Sequence, residues 1–155
     1  MVGRVVAVSV SERKGEQKRN VPAIVLREEY GVVGDAHAGP GLRQVSLLAL
    51  ESIDRVRARG FQVNPGDFAE NITTEGINLP ALPVGPRLQI GPEVIGEVSQ
   101  IGKKCHTGCA VFKRVGDCVM PREGIFIRVI KGGTVRAGDR IEVMQGVPGG
   151  RDDRQ

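Results

Sequence analysis

Breaks are everywhere in this sequence: 22 glycines and nine prolines among 155 residues, one position in five, scattered between short apolar runs. Helix and strand interiors tolerate neither residue well, so any element lying between two breaks must be short. The runs themselves are β-branched. Residues 3–10 carry Val5, Val6, Val8 and Val10, and residues 124–130 carry Ile125, Ile127, Val129 and Ile130. Such side chains suit a pleated surface, and the pattern predicts at least seven strands. That many short strands dispose of their edges most simply by closing on themselves. The expected fold class is therefore mainly β, a β-barrel with one or two short helices. A doubly wound α/β fold needs several crossover helices, and the sequence offers one.

Strands are expected at residues 3–10, 21–27, 43–48, 71–74, 87–90, 93–101 and 124–130, followed by a turn, a short strand, a Gly-Asp turn and a last strand within 131–144. The first should be buried on both faces. The helix is expected at 49–59, where Leu50, Ile53 and Val56 share a face, Glu51 and Arg55 pair four residues apart, and Gly60 supplies the stop. Residues 11–20 contain no apolar residue and carry Arg13, Lys14, Lys18 and Arg19, which reads as a solvated loop. The stretch 146–155 has almost nothing to bury and is expected to be a disordered tail, leaving 1–145 as one domain.

Composition narrows the function. A net charge of +4 is mildly basic and dispersed, suited to an anionic small molecule but too weak to mark a DNA-binding protein. Four Phe, one Tyr and no Trp leave few rings for base stacking, so no nucleic-acid partner is expected. No apolar run approaches the ~20 residues that span a bilayer, and the first ten residues read as a strand rather than a signal peptide, so no membrane and a cytoplasmic location are expected. In a reducing compartment three cysteines do not make a disulfide framework, and their chemistry becomes the question.

The densest polar chemistry is KKCHTGC, residues 103–109. Lys103, Lys104 and His106 surround Cys105 with positive charge, which favours thiolate, the nucleophilic form of the sulfur. A small buried cysteine beside solvated lysines would look the same in sequence. Cys109, four residues on, is the candidate resolving thiol. Cys105, His106, Cys109 and Cys118 offer four ligands within fourteen residues. The C-x3-C spacing with adjacent Cys and His is not a zinc pattern, however, and no metal site is assigned. A second cluster, GDAHAG at 34–39 with Arg43 and Gln44, combines close backbone approach, the imidazole of His37 and the planar fork of Arg43. It describes either an anion pocket or a turn in which Asp35 caps amides and pairs with Arg43. A third, PGDFAENITT at 65–74, gathers Asp67, Glu70, Asn71 and Thr73. Glu70 is a candidate partner for Arg43 or for a lysine near Cys105. Dinucleotide, P-loop and zinc-protease motifs are absent.

Taken in order, GVVGDAHAG, RQVSLLALESID, NPGDFAENITTEGI, LPVGPRLQIG, KKCHTGCAVF and GDCVMPREGIFIRVIKGGTVRAGD resemble the MOSC domain, named for the C-terminal domain of molybdenum cofactor sulfurases. The resemblance covers residues 2–144. It implies a barrel like that of pyruvate kinase, with Cys105 carrying sulfur as a persulfide or serving as a molybdenum ligand. It also implies that His37, Arg43 and Asn71 line one pocket, and that molybdenum cofactor (molybdopterin) is bound or served. No pyridoxal-phosphate desulfurase domain accompanies the motifs, so the sulfur donor is expected to be a separate cysteine desulfurase. The other expected partners are molybdenum cofactor biosynthesis or insertion proteins. Within this reading a sulfur transferase acting through the persulfide stands beside two alternatives: a molybdenum-dependent reductase of N-hydroxylated bases or amidoximes, and a non-catalytic cofactor-binding module.

Overall fold

A computed structural model describes residues 1–14, 16–102 and 123–144. The described strands are β1 (Val2–Val10), β2 (Arg19–Val21), β3 (Ala23–Arg27), β4 (Gly31–Val32), β5 (Val45–Ala49), β6 (Ile72–Glu75), β7 (Arg87–Ile90), β8 (Val94–Ile101), β9 (Ile125–Lys131), β10 (Gly133–Arg136) and β11 (Arg140–Val143). A single α-helix among the described residues, α1 (Leu50–Arg57), follows β5, and a 3-10 turn spans Leu79–Ala81. Seven strands close a ring in the order β11, β7, β8, β9, β5, β6, β1, with β1 pairing back onto β11. β2 extends the ring from β1, and β10, β3 and β4 form a separate three-stranded sheet. The expected mainly β barrel is thus the observed one.

Side chains divide by strand face. Val45, Leu47, Ile72, Ile125, Ile127, Val98 and Ile141 point into the barrel and are fully buried. Leu48 and Phe126 point outward and meet Ile53 and Val56 of α1, with Val63 and Phe68, in a second apolar cluster. Both faces of β5 are therefore covered, which is why its sequence, VSLLA, shows no clean alternation. The helix carries the chain from β5 to β6, which pair in parallel. A parallel neighbour needs such a crossover, whereas the other described pairs are antiparallel.

Three sequence expectations change. β1 is not buried on both faces: Arg4 and Val2 are exposed. Val5 and Val8 both enter the core because the register against β6 slips between Val5 and Ala7, where the extra residue Val6 restores an inward face. The expected strand 21–27 divides at Pro22, which cannot donate to a ladder, so Val21 pairs with Val8 of β1 while Ala23 begins pairing with β10. Glu51 and Arg55 do not pair with each other. Glu51 accepts from the Gly76 amide, and Arg55 reaches Glu123.

Candidate functional site

Residues 33–44 join β4 to β5 and carry both His37 and Arg43. At its first end the loop is tied down by Asp35. Lys18 Nζ donates to Asp35 Oδ1 at 2.8 Å and to Ser11 Oγ at 2.9 Å, and the Ser11 amide donates to the same carboxylate oxygen at 2.9 Å. Both members of the Lys18–Asp35 pair have side chains with no exposed surface. Burial alone would raise the Asp35 carboxyl. The hydrogen bond from Lys18, the Ser11 amide, the Lys18 charge and the His37 amide outweigh it and hold the group below the ordinary carboxylate range. The second oxygen, Oδ2, accepts the His37 amide at 3.1 Å and lies 3.8 Å from His37 Nδ1. The imidazole is one-fifth exposed. The solvated loop expected for residues 11–20 holds for Glu12, Arg13, Lys14, Glu16 and Gln17, which are exposed, but Ser11 and Lys18 are buried and β2 begins at Arg19.

The other end of the loop is docked across β8 and β9. Ser99 Oγ donates to the Leu42 carbonyl. Arg43 Nε donates to Gln100 Oε1 at 3.2 Å, and its guanidinium lies 5.8 Å from the Phe126 ring centroid. Among the described residues no hydrogen bond engages its two terminal nitrogens, so an exposed, oriented fork remains. Two residues beyond Gln100, the Gly102 amide donates to the Gly124 carbonyl at 2.7 Å, drawing together the two points between which residues 103–122 run. Arg43 thus stands at the root of the segment that carries the cysteines. Gln44 is structural: its Oε1 accepts from the Val129 amide at 2.9 Å and its Nε2 donates to the Gly41 carbonyl at 3.1 Å.

Asn71 faces backbone. Its Oδ1 accepts from the Ser46 amide at 3.1 Å and from Ser46 Oγ at 3.2 Å, while Nδ2 donates to the Ser9 carbonyl at 3.2 Å. The side chain is completely buried and ties β1, β5 and the entry of β6 together. Its neighbour Glu70 pairs neither with Arg43 nor with any other cation among the described residues. Oε2 accepts from the Gly66 amide at 2.9 Å and Thr73 Oγ1 at 2.7 Å, and Oε1 is buried with no described partner. Burial dominates and raises the carboxyl to about 7, although both donors oppose it. Asp67 does what a loop aspartate does locally, accepting the Asn64 amide at 2.8 Å.

Lys103, Lys104, Cys105, His106, Cys109, Cys118 and residues 146–155 lie outside the described residues. Of the remaining site candidates, Arg43 is brought to the root of 103–122, His37 is held near the end of β1, and Asn71 is buried between strands. No contact joins these three to one another among the described residues. The sequence reading missed the Lys18–Asp35 pair. Its only trace was a lysine in a run whose other charges are exposed, with its partner 17 positions away. An open depression of about 280 Å³ at Gln89, Gly91, Pro92, Asp139, Arg140 and Glu142 contains none of the candidates.

Comparison with known proteins extends the picture. The chain is similar to YuaD from Bacillus subtilis, with 19% identity over 92% of this chain and 96% of that one, at a TM-score of 0.77. It is also similar to YiiM from Geobacillus stearothermophilus, 18% identical over 92% and 75% of the two chains with a TM-score of 0.71. YiiM from Escherichia coli is 22% identical over 95% and 71%, with a TM-score of 0.67. At such identities these likenesses establish the fold. No curated protein matches. The model of the MOSC domain matches residues 34–142, from the turn before Asp35 into the closing strand β11 and across more than two thirds of the chain, so the chain belongs to the MOSC domain family.

Proposed function

We propose that this chain is a sulfur carrier: Cys105 receives sulfane sulfur as a persulfide and passes it toward molybdenum cofactor, a specific form of the molybdenum-cofactor-related function associated with the family. The observation that carries the proposal is Arg43, an exposed guanidinium fixed by Gln100 two residues before Gly102. Three peptide units join Gly102 to Cys105, so the covalent chain alone keeps Cys105 within about 11 Å of Gly102. A fixed planar fork near a thiol suits an anionic acceptor, because guanidinium matches phosphate oxygens two at a time.

The donor is a cysteine desulfurase carrying its own persulfide. Cys105 thiolate attacks the outer sulfur, the donor S–S bond breaks, and the donor leaves as thiolate with no net redox change. Delivery is completed when Cys109 attacks the Cys105 sulfur, releasing hydrosulfide and forming a Cys105–Cys109 disulfide that cellular thiols reduce. The reducing cytoplasm supplies those thiols.

For the pterin cofactor as acceptor substrate, the described residues fit in part. Arg43 fits its phosphate and His37 offers a partly exposed ring, whereas Asn71 is completely buried, with Oδ1 accepting from Ser46 and Nδ2 donating to the Ser9 carbonyl. The cofactor's metal centre is where the delivered sulfur would be bound. Arg43's task is to hold the anion, and the lysines beside Cys105 keep the thiol ionised.

The test is transfer of labelled sulfur from a loaded desulfurase to the chain and then to an acceptor. Cys105→Ser should abolish uptake, Cys109→Ser should allow uptake but block release, and Arg43→Ala should weaken transfer to a phosphate-bearing acceptor at least ten-fold while leaving uptake intact. Uptake that survives Cys105→Ser would refute the proposal.

A further inference from the structure

We propose that residues 64–70 form a latch operated by the proton of Glu70: closed over the neutral carboxyl, released on its ionisation, and coupled through β2 to the 33–44 loop. Two independent features of the segment point to stored strain. Glu70 is completely buried, and while Oε2 accepts from the Gly66 amide at 2.9 Å and from Thr73 Oγ1 at 2.7 Å, Oε1 has no partner. A buried charge needs a counter-charge or a full set of donors, so an ionised carboxylate is poorly held there. The preceding residue, Ala69, has φ +67°, a left-handed conformation that a Cβ disfavours. Opening relieves both features at once: water reaches the two oxygens, and Ala69 returns to an ordinary backbone.

The charged groups on the elements around the segment are engaged with other atoms. Arg57 of α1 donates to the Val63 carbonyl at 2.8 Å and pairs with Asp54, and Arg59 lies over the Phe61 ring. Asp67 accepts the Asn64 amide, Lys18 pairs with Asp35, and Glu75 of β6 pairs with Arg4. None of them donates to or pairs with the Glu70 carboxyl, which burial accordingly raises from 4.5 to about 7. An opened segment holds the proton less tightly, so opening becomes easier as pH rises from about 4.5 to about 7 and then levels off. The coupling runs through two donors that rest on the segment. The Lys18 amide donates to the Gly66 carbonyl at 2.8 Å, and Asn20 Nδ2 of β2 donates to the Pro65 carbonyl at 2.8 Å. Lys18 also carries the ammonium held by Asp35, and the Ala36 amide donates to the Ser11 carbonyl at 2.8 Å, so the 33–44 loop is anchored on the same stretch. The loop that carries Arg43 is thereby made responsive to pH.

The test is amide hydrogen exchange of the full chain by NMR, with each rate corrected for the intrinsic pH dependence of exchange. Protection of the Gly66, Lys18 and Ala36 amides should fall about ten-fold or more from pH ~5 to ~7 and then level. Low urea should leave those rates unchanged while accelerating exchange of the Val98 amide in β8, which marks the opening as local. Glu70→Gln should remove the pH dependence at all three amides. Where that variant does not fold, the Glu70 carboxyl carbon of the wild-type chain should titrate at the pH where protection levels. Protection independent of pH, a dependence that survives in folded Glu70→Gln, a carboxyl that titrates elsewhere, or urea sensitivity equal to that of Val98 would overturn the latch. An Ala36 amide unmoved while Gly66 and Lys18 respond would overturn the coupling. No arm of the test requires sulfur uptake, so the sulfur-transfer reading stands or falls separately.

Discussion

Glu70 and Asp35 are two buried carboxyls with opposite titration behaviour, and the difference is one lysine. Asp35 has Lys18, so its charged form is favoured and its contribution to stability is present above the ordinary carboxylate range and lost on acidification. Glu70 has only neutral donors, and burial raises it to about 7. Because its folded value exceeds the value of 4.5 expected when unfolded, its contribution is complete below about 4.5 and lost as pH rises through about 7. Glu70→Gln should therefore change thermal stability little near pH ~5 and raise it relative to wild type near pH ~8, by up to roughly 3 kcal/mol. Melting curves across that range check it, and a difference independent of pH would contradict it. Lys18→Met leaves Asp35 buried without its counter-charge and should cost about 3–5 kcal/mol by urea unfolding. Neither residue was legible as structural in the sequence. A lysine in a polar run and a glutamate in a loop declare nothing about burial, which the folded chain decides: Lys18 is met by Asp35 and Gly66, 17 and 48 positions on.

Among the elements, local pattern and long-range pairing separate cleanly. The β-branched runs that became β1, β8 and β9 could be read directly, as could a break between β7 and β8, which the structure closes as a hairpin over Gly91, Pro92 and Glu93, since those signals are written in neighbouring residues. The slip at Val6, the division at Pro22 and the parallel pairing of β5 with β6 could not, because each is decided by the partner strand. Gly66 shows how a loop is fitted to such partners. Its φ is +95°, and a Cβ there would stand 2.4 Å from the Lys18 carbonyl oxygen. The Lys18 amide in turn donates to the Gly66 carbonyl, which ties residues 63–71 to the strand that positions Lys18. Gly34, at φ +85°, has open space where its Cβ would be. Both alanine variants pay backbone strain, but only Gly66→Ala adds a backbone clash. Gly34→Ala should cost about 1–2 kcal/mol and Gly66→Ala more, by chemical denaturation. Equal costs would mean that the loop yields without resistance.

Across the whole molecule, one closed ring organises everything else. Leu47 of β5 sits beside Ile72 of β6 and Ile125 of β9 by register, is completely buried, and has no route to solvent. Leu47→Ala should cost about 2–5 kcal/mol, whereas Val25→Ala, on the half-exposed face of β3, should stay within about 0.5 kcal/mol. The barrel was legible because closure follows from many short strands whatever their order. The site was legible only in its chemistry: Arg43 and His37 were recognisable as groups that handle anions and protons, but the fold alone decides that Arg43 reaches Gln100, that His37 answers to Asp35, and that Asn71 serves the sheet. The central claim is that this barrel presents Cys105 as a sulfur acceptor beside a fixed cation. The most direct measurement is peptide-resolved mass spectrometry of the chain after incubation with a cysteine desulfurase and cysteine. The expected result is an adduct of about 32 Da, one sulfur atom, on the peptide containing Cys105, removed by reductant and absent in Cys105→Ser. An unmodified Cys105 peptide, or an adduct found only on Cys118, would contradict it.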